Sequence, residues 1–279
     1  MPDSSRVEIR LLRESDIAAA MDLKNSARWN QTESDWRVLL QLEPNGCFAA
    51  VLDEQVVGTT TTTSYGSELA WIGMVLVRPE KRRTGIATKL VQTALAYLEH
   101  RVGVVKLDAT ADGKLVYERL GFEVESSIER WGRKGEPLRF DGQPETMESD
   151  TWHQVLQLDR AAFGADRSKL LKLLRVRPVV TKSEGAVTGY GLARAGSNPA
   201  YIGPIVSSQR SQAIELLDRL LEQLHPRPVY IDFNRNWGDG QQLLSERGFE
   251  KEREFIRMKS GDAVPTSSLV FAIAGPEIG

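Results

Sequence analysis

The sequence predicts an α+β fold in which one structural plan occurs twice. Apolar, β-branched runs typical of strands alternate with segments whose apolar residues recur at helical spacing. The run Trp71-Ile72-Gly73-Met74-Val75 is echoed by Tyr201-Ile202-Gly203-Pro204-Ile205. Gly121-Phe122-Glu123 returns as Gly248-Phe249-Glu250. We therefore expect two tandem units, each a mixed, mostly antiparallel sheet flanked by helices.

The boundary between the two units is predicted from composition. A third echo, Leu107-Asp108 with Ile231-Asp232, shows that the plan extends beyond the first strand of each repeat. Between the repeats, residues 132–147 are rich in Gly, Pro and charge and have no apolar periodicity, as is typical of a linker. The expected division is a first domain at 1–135, a linker at 136–146 and a second domain at 147–279.

Local signals predict each element of the first half in turn. Residues 7–11 alternate as a half-buried strand should, and the five threonines at 59–63 suit a strand through their β-branching. Pro79 cannot donate to a sheet, so the strand before it ends there. The expected elements are strands at 7–11, 48–53, 56–65, 71–77, 104–108 and 125–131, a helix capped by Ser15-Asp16, a helix from Ile86 and a helix at 114–120. In the second half, residues 269–274 are expected to form a strand that closes a sheet.

A turn between a strand and a helix carries the most specific signal. It reads Arg82-Arg83-Thr84-Gly85-Ile86-Ala87, directly before an amphipathic helical pattern. Helix N-termini offer unpaired N–H groups and partial positive charge, which bind phosphates, and Gly85 has no side chain to keep a phosphate away. The chain has no GxxxxGK[ST] and no GxGxxG after a strand, so other phosphate-binding loops are not indicated. The alternative is an ordinary helix start with surface arginines.

This turn resembles motif A of the GCN5-related N-acetyltransferase (GNAT) superfamily, [Q/R]-x-x-G-x-[G/A] after a strand that ends in V-x-P. Here it reads Arg82-x-x-Gly85-x-Ala87 after Val77-Arg78-Pro79. The segment 107–122 is similar to motif B, in which a helix ends in Y-x-x-x-G-F, and it places Tyr117 at the tyrosine position. It departs from the pattern at Thr110, where Asn is frequent, and at Gly113, where Ala is usual. The resemblance covers about residues 6–131.

The resemblance implies an N-acyltransferase that moves an acetyl group from acetyl-CoA to a primary amine by direct attack. Backbone N–H groups near Met74 would hold the pantetheine arm and polarise the thioester. Tyr117 is the expected general acid, because a phenol of pKa about 10 can protonate a departing thiolate of pKa about 8.5. The alternative for Tyr117 is aromatic packing beside Leu120. The expected cofactor residues are Met74, Val75, Leu76, Val77, Arg82, Arg83, Thr84, Gly85, Ile86, Ala87, Thr88 and Thr110.

The acceptor site is expected around residues 29–36, where two tryptophans and several polar groups share one loop. A base or amine anchor is also required, because an alkyl ammonium of pKa about 10.4 is not a nucleophile at neutral pH. The expected substrate residues are Trp29, Asn30, Glu33, Glu68 and Trp71. For Glu33, stabilisation of a helix start is the alternative. Thr32-x-x-Asp35 predicts a capping box. The acceptor is expected to be a small molecule rather than a protein tail.

The second half lacks the residues that imply chemistry. At the position of the phosphate loop, residues 207–213 contain no glycine, and Leu244 stands at the tyrosine position. The half is similar to a domain appended to GNAT domains in many bacterial proteins, which implies a structural or acceptor-site role. Asp159, Asp166 and Arg167 form either part of a pocket that faces the first half or simple caps and ion pairs.

Composition excludes several other classes. The net charge is −2, so neither nucleic acid nor an anionic membrane is an expected partner. The opening residues lack the apolar core of a secretory signal, and the single Cys47 excludes an internal disulfide, so a cytoplasmic protein is expected. The three histidines have no spacing that suggests a metal site. A non-catalytic acyl-CoA sensor remains the alternative function, and the oligomeric state stays open between monomer and homodimer.

Overall fold

The structure is a computed structural model that describes residues 7–136, 149–262 and 268–279. The second α-helix begins at Thr32, whose hydroxyl accepts a hydrogen bond from the Asp35 N–H while Asp35 accepts one from the Thr32 N–H, which confirms the capping box. The elements of the first half are β1 Glu8–Leu11, α1 Ile17–Ser26, α2 Glu33–Leu42, β2 Cys47–Leu52, β3 Gln55–Tyr65, β4 Leu69–Val77, α3 Ile86–Leu98, β5 Val104–Ala109, α4 Ala111–Arg119 and β6 Glu123–Arg133, with short 3₁₀ turns at Glu14–Asp16 and Pro79–Lys81.

The second half repeats this order of strands and helices. Its elements are α5 Ser149–Phe163, α6 Ser168–Leu173, β7 Val179–Ser183, β8 Ala186–Arg194, β9 Ala200–Ser207, α7 Arg210–Leu224, β10 Val229–Asn234, a 3₁₀ turn at Arg235–Trp237, α8 Gly240–Glu246, β11 Phe249–Gly261 and β12 Val270–Ala272. By the repeat, β9, β10 and β11 correspond to β4, β5 and β6. The predicted tandem α+β fold is confirmed. Much of the expected linker lies outside the described residues.

The two halves share one sheet of twelve strands, which the sequence did not predict. The strand order is β1-β2-β3-β4-β5-β11-β6-β10-β12-β9-β8-β7. The pairing across the middle is reciprocal: β11 pairs with β5 of the first half, and β6 pairs with β10 of the second. The expectation of two separate sheets is therefore wrong in this respect, because each half gives its last long strand to the other.

Two buried ion pairs accompany this exchange, and both involve the repeated aspartates. Arg257 on β11 donates two hydrogen bonds to Asp108 on β5, at 2.8 and 2.9 Å. Arg130 on β6 donates two to Asp232 on β10, at 2.8 and 2.6 Å. The echo of Leu107-Asp108 in Ile231-Asp232 thus marks the two acids that bind the opposite half.

Helices cover both faces of the first half, and strand alternation assigns each residue to a face. Ala70 and Ile72 of β4 pack with α3 and α4, in a core that includes Leu107 and Tyr117. Leu69 and Trp71 point the other way and pack with α1 and α2. Residues that border a gap in this part of the sheet therefore reach it from two opposite faces.

The C-terminal segment links the halves a second time. The predicted strand at 269–274 exists as β12, which pairs with both β9 and β10. The following residues then run against β3 and β4 of the first half: Trp71 Nε1 donates to Pro276 O at 2.9 Å, and the Tyr65 hydroxyl donates to Ile278 O at 2.7 Å. We call residues 274–279 the C-terminal tail.

Candidate active site

The candidate site is a cleft where β4 and β5 separate. These parallel strands pair only through Leu69–Trp71 and their partners Val104, Val105 and Lys106. Beyond Trp71 they diverge and leave a cleft of about 570 Å³, including its open mouth. The cleft is bordered by Ile72, Gly73, Met74 and Val75 on one side and by Leu107 and Asp108 on the other.

A β-bulge shapes the β4 side of the cleft. The register between β3 and β4 shifts between Thr61, which faces Gly73, and Thr59, which faces Leu76. Met74 has a φ of 49° within this bulge, so the backbone turns away from the regular ladder there. The Thr59 hydroxyl donates to Met74 O at 2.9 Å, and the Thr60 hydroxyl donates to Gly73 O. The threonine run therefore also holds the bulge, which its β-branching alone did not indicate.

The predicted phosphate loop lies at the start of α3, after β4 ends. Gly85 has a φ of 87°, and a Cβ placed on it would meet no other atom within 4 Å. The side chains of Arg82 and Arg83 are exposed and form no ion pair with any described residue. The Thr84 hydroxyl donates to Lys81 O and closes the loop. Ile86, Ala87 and Thr88 form the first turn of α3, whose N–H groups have no partner within the helix.

Tyr117 lies on the α4 side of the cleft. Its ring packs edge-on against Phe122, with centroids 6.0 Å apart. Its hydroxyl forms no hydrogen bond with any described residue, and burial raises the pKa of Tyr117 above its ordinary value of 10.0. A Cβ on Gly113 would lie 3.0 Å from the Tyr117 ring, so glycine leaves room for the ring at this position.

Thr110 also borders the cleft, and it begins α4 earlier than predicted. Its hydroxyl accepts a hydrogen bond from the Gly113 N–H at 3.3 Å, so the helix starts at Ala111 rather than at residue 114. Of the predicted cofactor residues, Met74, Val75 and Thr110 line the cleft, Leu76 and Val77 continue β4, and the remainder form the turn at α3.

The structure brings only one of the predicted substrate residues to the cleft. Trp29 lines it. The Asn30 side chain instead binds the β8–β9 connection, donating to Pro199 O at 2.9 Å and accepting from the Asn198 N–H. Trp71 is buried below the tail, with the Arg257 guanidinium 4.7 Å from its ring centroid.

The two predicted acids lie elsewhere. Glu33 is an exposed residue in the first turn of α2 and pairs with Arg37 at 3.2 Å, as the alternative reading expected. Glu68 is exposed in the turn between β3 and β4, at the opposite end of β4 from the bulge. Neither borders the cleft.

Besides Asp108, which is paired with Arg257, the C-terminal tail brings a second carboxylate to the cleft. Glu277 is 3% exposed; its carboxylate accepts from Gln31 Nε2 at 2.9 Å and pairs with Arg194 at 3.0 Å. Burial raises the pKa of Glu277 above its ordinary value of 4.5. A Cβ on Gly73 would lie 2.5 Å from Glu277 O, so this glycine lets the tail approach β4. Sequence reasoning missed Glu277 because no local pattern connects a residue near the C-terminus with β4.

Among the described residues of the second half, no equivalent cleft separates the corresponding strands. β9 and β10 pair in parallel at Ala200, Tyr201 and Ile202, but β12 then pairs with both of them and occupies the gap. Leu244, at the tyrosine position, is buried in the core.

The three charged residues singled out in the second half form caps and ion pairs, and Arg167 also lines a cavity with Leu69 and Trp71 of the first half. Asp159 and Arg167 form a buried pair at 2.9 Å, and Arg167 Nη1 also donates to Gly279 O at 2.7 Å. Asp166 accepts from the Ser168 N–H at the start of α6. None of the described helices is long and apolar enough to cross a membrane. No cluster of metal-binding side chains occurs in the described ranges.

Comparison with known families agrees with this geometry. A model of the acetyltransferase (GNAT) family matches residues 17–122, and a model of an acetyltransferase (GNAT) domain matches residues 155–270. The protein YitH of Bacillus subtilis (strain 168), named an uncharacterized N-acetyltransferase, is 25% identical over 257 residues, covering 88% of this chain and 89% of YitH.

Solved structures show the same architecture. A protein from Pyrococcus horikoshii described as an acetyltransferase superposes with a TM-score of 0.84 at 22% identity, over 100% of this chain and 98% of its own. A tandem GNAT protein from the clavulanic acid biosynthesis pathway superposes with a TM-score of 0.64 at 16% identity, over 91% of this chain and 98% of its own.

These findings define the class of protein. Two GNAT models together account for most of the chain, and the tandem arrangement recurs in solved structures. The chain belongs to the GNAT acetyltransferase family and is an N-acetyltransferase. Members of this family use acetyl-CoA as co-substrate and transfer its acetyl group to an acceptor.

Proposed function

We propose that the first half transfers an acetyl group from acetyl-CoA to the primary amine of a small molecule, by direct attack in a ternary complex. The observation that carries this proposal is the cleft between β4 and β5, which residues from both faces of the sheet border. Thr110 and Tyr117 reach it from the face of α3 and α4. Trp29 and Glu277 reach it from the face of α1, α2 and the tail. Two reactants can therefore meet in it from opposite sides.

The residues on the first face fit acetyl-CoA. The open space at Gly85 and the free N–H groups of the first turn of α3 suit a pyrophosphate, and the exposed arginines Arg82 and Arg83 add positive charge. The bulge at Met74 interrupts the β4 ladder where the pantetheine arm would run. When bound, acetyl-CoA supplies a thioester whose C–S bond breaks as the new C–N bond forms.

Tyr117 is the proposed general acid. Its hydroxyl has no competing partner within the described structure and borders the cleft, so it is available to donate a proton to the departing thiolate. Because burial raises the pKa of Tyr117, the phenol stays protonated through the neutral range. Each turnover converts an ammonium acceptor into the amide, with one proton on the thiol and one released.

Glu277 is the proposed amine-facing carboxylate. It is a buried acid that borders the cleft opposite α4, and its raised pKa makes it a better proton acceptor than an ordinary glutamate. Its hydrogen bond from Gln31 and its pairing with Arg194 fix its position. An acceptor side bordered by the tail and by Trp29 suits a compact molecule better than a protein lysine.

Thiol release from acetyl-CoA over a panel of amines tests this function. The panel includes aminosugars, polyamines, amino acids and aminoglycosides, with lysine peptides as the contrasting class. We expect turnover with at least one free amine, and loss of that turnover in Tyr117→Phe. Acetyl-CoA binding without thiol release from any amine would instead support a sensor, and turnover of peptides alone would show that the acceptor class is wrong.

A further inference from the structure

Among the described residues, the proposed acceptor side of the cleft contains one positive charge without a counterion. Arg253 on β11 borders the cleft and is half-buried. Its guanidinium forms no ion pair and no hydrogen bond with any residue that the structure describes. Burial and the neighbouring Arg130 guanidinium lower the pKa of Arg253, while Asp232 and Glu252 oppose that effect more weakly. A half-buried guanidinium with no counterion among the described residues leaves its donors available to an anion in the cleft.

The other charges that border the cleft are compensated. Asp108 pairs with Arg257 across the exchanged strands. Arg130 pairs with Asp232.

The third compensated charge is Glu277, which pairs with Arg194. Arg194 also binds Asp35 at 2.6 Å, so this cation is satisfied by two acids. Arg253 is therefore the one charge at the cleft that a bound molecule is left to neutralise, within the described part of the chain.

Arg253 lies on the face of the sheet that the acceptor is expected to use. On β11 it shares a face with Phe255 and Arg257, two and four positions along the strand. Arg257 stacks on Trp71, which belongs to the α1 and α2 face. Tyr117 lies on the other face. Arg253 is thus separated by the sheet from the helices that would hold acetyl-CoA.

We propose that the acceptor amine carries a carboxylate and that Arg253 binds it, while Glu277 faces the amino group. This inference rests on the proposed function and names its substrate class. A guanidinium matches a carboxylate through two parallel hydrogen bonds. A monoanion also balances the single uncompensated charge, whereas a phosphate monoester carries about −1.5 to −2 at neutral pH and would leave an excess beside Glu277. The acceptor is accordingly an amino acid or a compact amine with a carboxylate.

Matched pairs of ligands test this directly. Each pair consists of a proteinogenic amino acid and its α-carboxamide, which share the amino group and differ in that only the amino acid carries a carboxylate. Each is titrated by calorimetry into the protein saturated with CoA, in the wild type and in Arg253→Met, Arg253→Lys and Arg119→Met. Arg119 is an exposed residue at the end of α4 that does not border the cleft, and serves as the matched control.

We expect the wild type to bind at least one amino acid about tenfold or more tightly than its carboxamide, the effect of one charge-assisted contact. Arg253→Met is expected to lose this preference, Arg253→Lys to keep part of it, and Arg119→Met to keep all of it. CoA affinity is expected to be unchanged in all variants.

Three results would overturn the inference. They are equal affinity for acids and amides in the wild type, an unchanged preference in Arg253→Met, and a loss of CoA affinity in that variant. Thiol-release assays on the same ligand pairs distinguish a failure of this inference from a failure of the proposed function. If only amines that lack a carboxylate are acetylated, the proposed carboxylate recognition is overturned but the proposed acetyltransferase activity stands. If amino acids bind through their carboxylate but no amine is acetylated, the proposed anion site at Arg253 stands and the proposed reaction is contradicted.

Discussion

The two halves of this chain build the same strand pair and treat the gap beyond it in opposite ways. In the first half, β4 and β5 separate after Trp71 and leave an open cleft. In the second half, β9 and β10 separate after Ile202, and β12 occupies the gap by pairing with both. The repeated glycines reflect this: a Cβ on Gly203 would lie 2.0 Å from Ile273 O, and a Cβ on Gly73 would meet the tail at Glu277.

The difference shows how one fold can serve two roles in one chain. The C-terminal segment closes the second gap with backbone hydrogen bonds, and its tail then borders the first gap with Glu277. Through β11, the second half also supplies Arg253 and Phe255 to the same cleft. The second half therefore contributes one wall of the cleft in the first half.

The first prediction concerns acetyl-CoA binding at Gly85, in the turn before α3. Gly85→Val is expected to weaken acetyl-CoA binding at least about 100-fold, because the side chain would occupy the phosphate position and displace charge-assisted contacts. The control is Gly185→Val in the β7–β8 turn, where φ is 84° and a Cβ would also meet nothing within 4 Å. Both variants carry a similar left-handed strain of about 1–2 kcal/mol. Calorimetry should find a loss of acetyl-CoA affinity in Gly85→Val alone. An equal loss of affinity in both variants would assign the effect to impaired folding.

Tyr117→Phe is expected to lower kcat by about 10²–10⁴-fold, the usual contribution of a general acid, with the Kd for acetyl-CoA nearly unchanged. Tyr97→Phe is the control, since the Tyr97 hydroxyl binds Glu43 outside the cleft. Steady-state kinetics and calorimetry on both variants check this. Unchanged kcat in Tyr117→Phe would leave only the packing role for its ring.

The exchanged strands predict a stability effect that is unrelated to chemistry. Asp232→Ala leaves Arg130 buried without its partner and is expected to cost about 3–5 kcal/mol of unfolding free energy. Asp218→Ala breaks the solvent-exposed pair with Arg247 and is expected to cost about 1 kcal/mol or less. Urea denaturation of both variants measures the difference. Equal losses would show that the reciprocal pairing contributes little to joining the halves.

The smallest effect concerns the acid limb of the pH–rate profile. Glu277 must be ionised to accept a proton from the amine. The rate is therefore expected to fall as the pH drops through the raised pKa of Glu277, which lies above 4.5. Glu277→Gln is expected to be slower by about tenfold or more and to lack that limb. Glu33→Gln and Glu68→Gln, whose side chains lie away from the cleft, are expected to keep the wild-type profile. A limb that persists in Glu277→Gln belongs to another group.

Sequence reasoning reached the elements that local patterns determine. The strand that ends before Pro79, the helix after Gly85 and the capping box at Thr32 follow from short-range physical chemistry, and the structure has all three. The proposed cofactor positions could be singled out for the same reason, since one strand-turn-helix unit carries most of them, and they stay predictions.

The proposed acceptor side could not be predicted in this way, because it is assembled from distant parts of the chain. Glu277 and Arg253 reach the cleft through the C-terminal tail and the exchanged strand, and no periodicity reports either contact. Glu33 satisfied the local expectation of an acid near the tryptophans, yet its helix directs it to solvent beside Arg37. The repeat in Asp108 and Asp232 was visible, but its meaning depended on which strands pair.

Calorimetric titration of acetyl-CoA into the wild-type protein tests the central claim most directly, because it counts binding sites per chain. The account predicts one molecule bound per chain, at the cleft between β4 and β5. Two molecules per chain would contradict it, since the second half would then hold a site that β12 was held to close. The absence of any binding would contradict it as well.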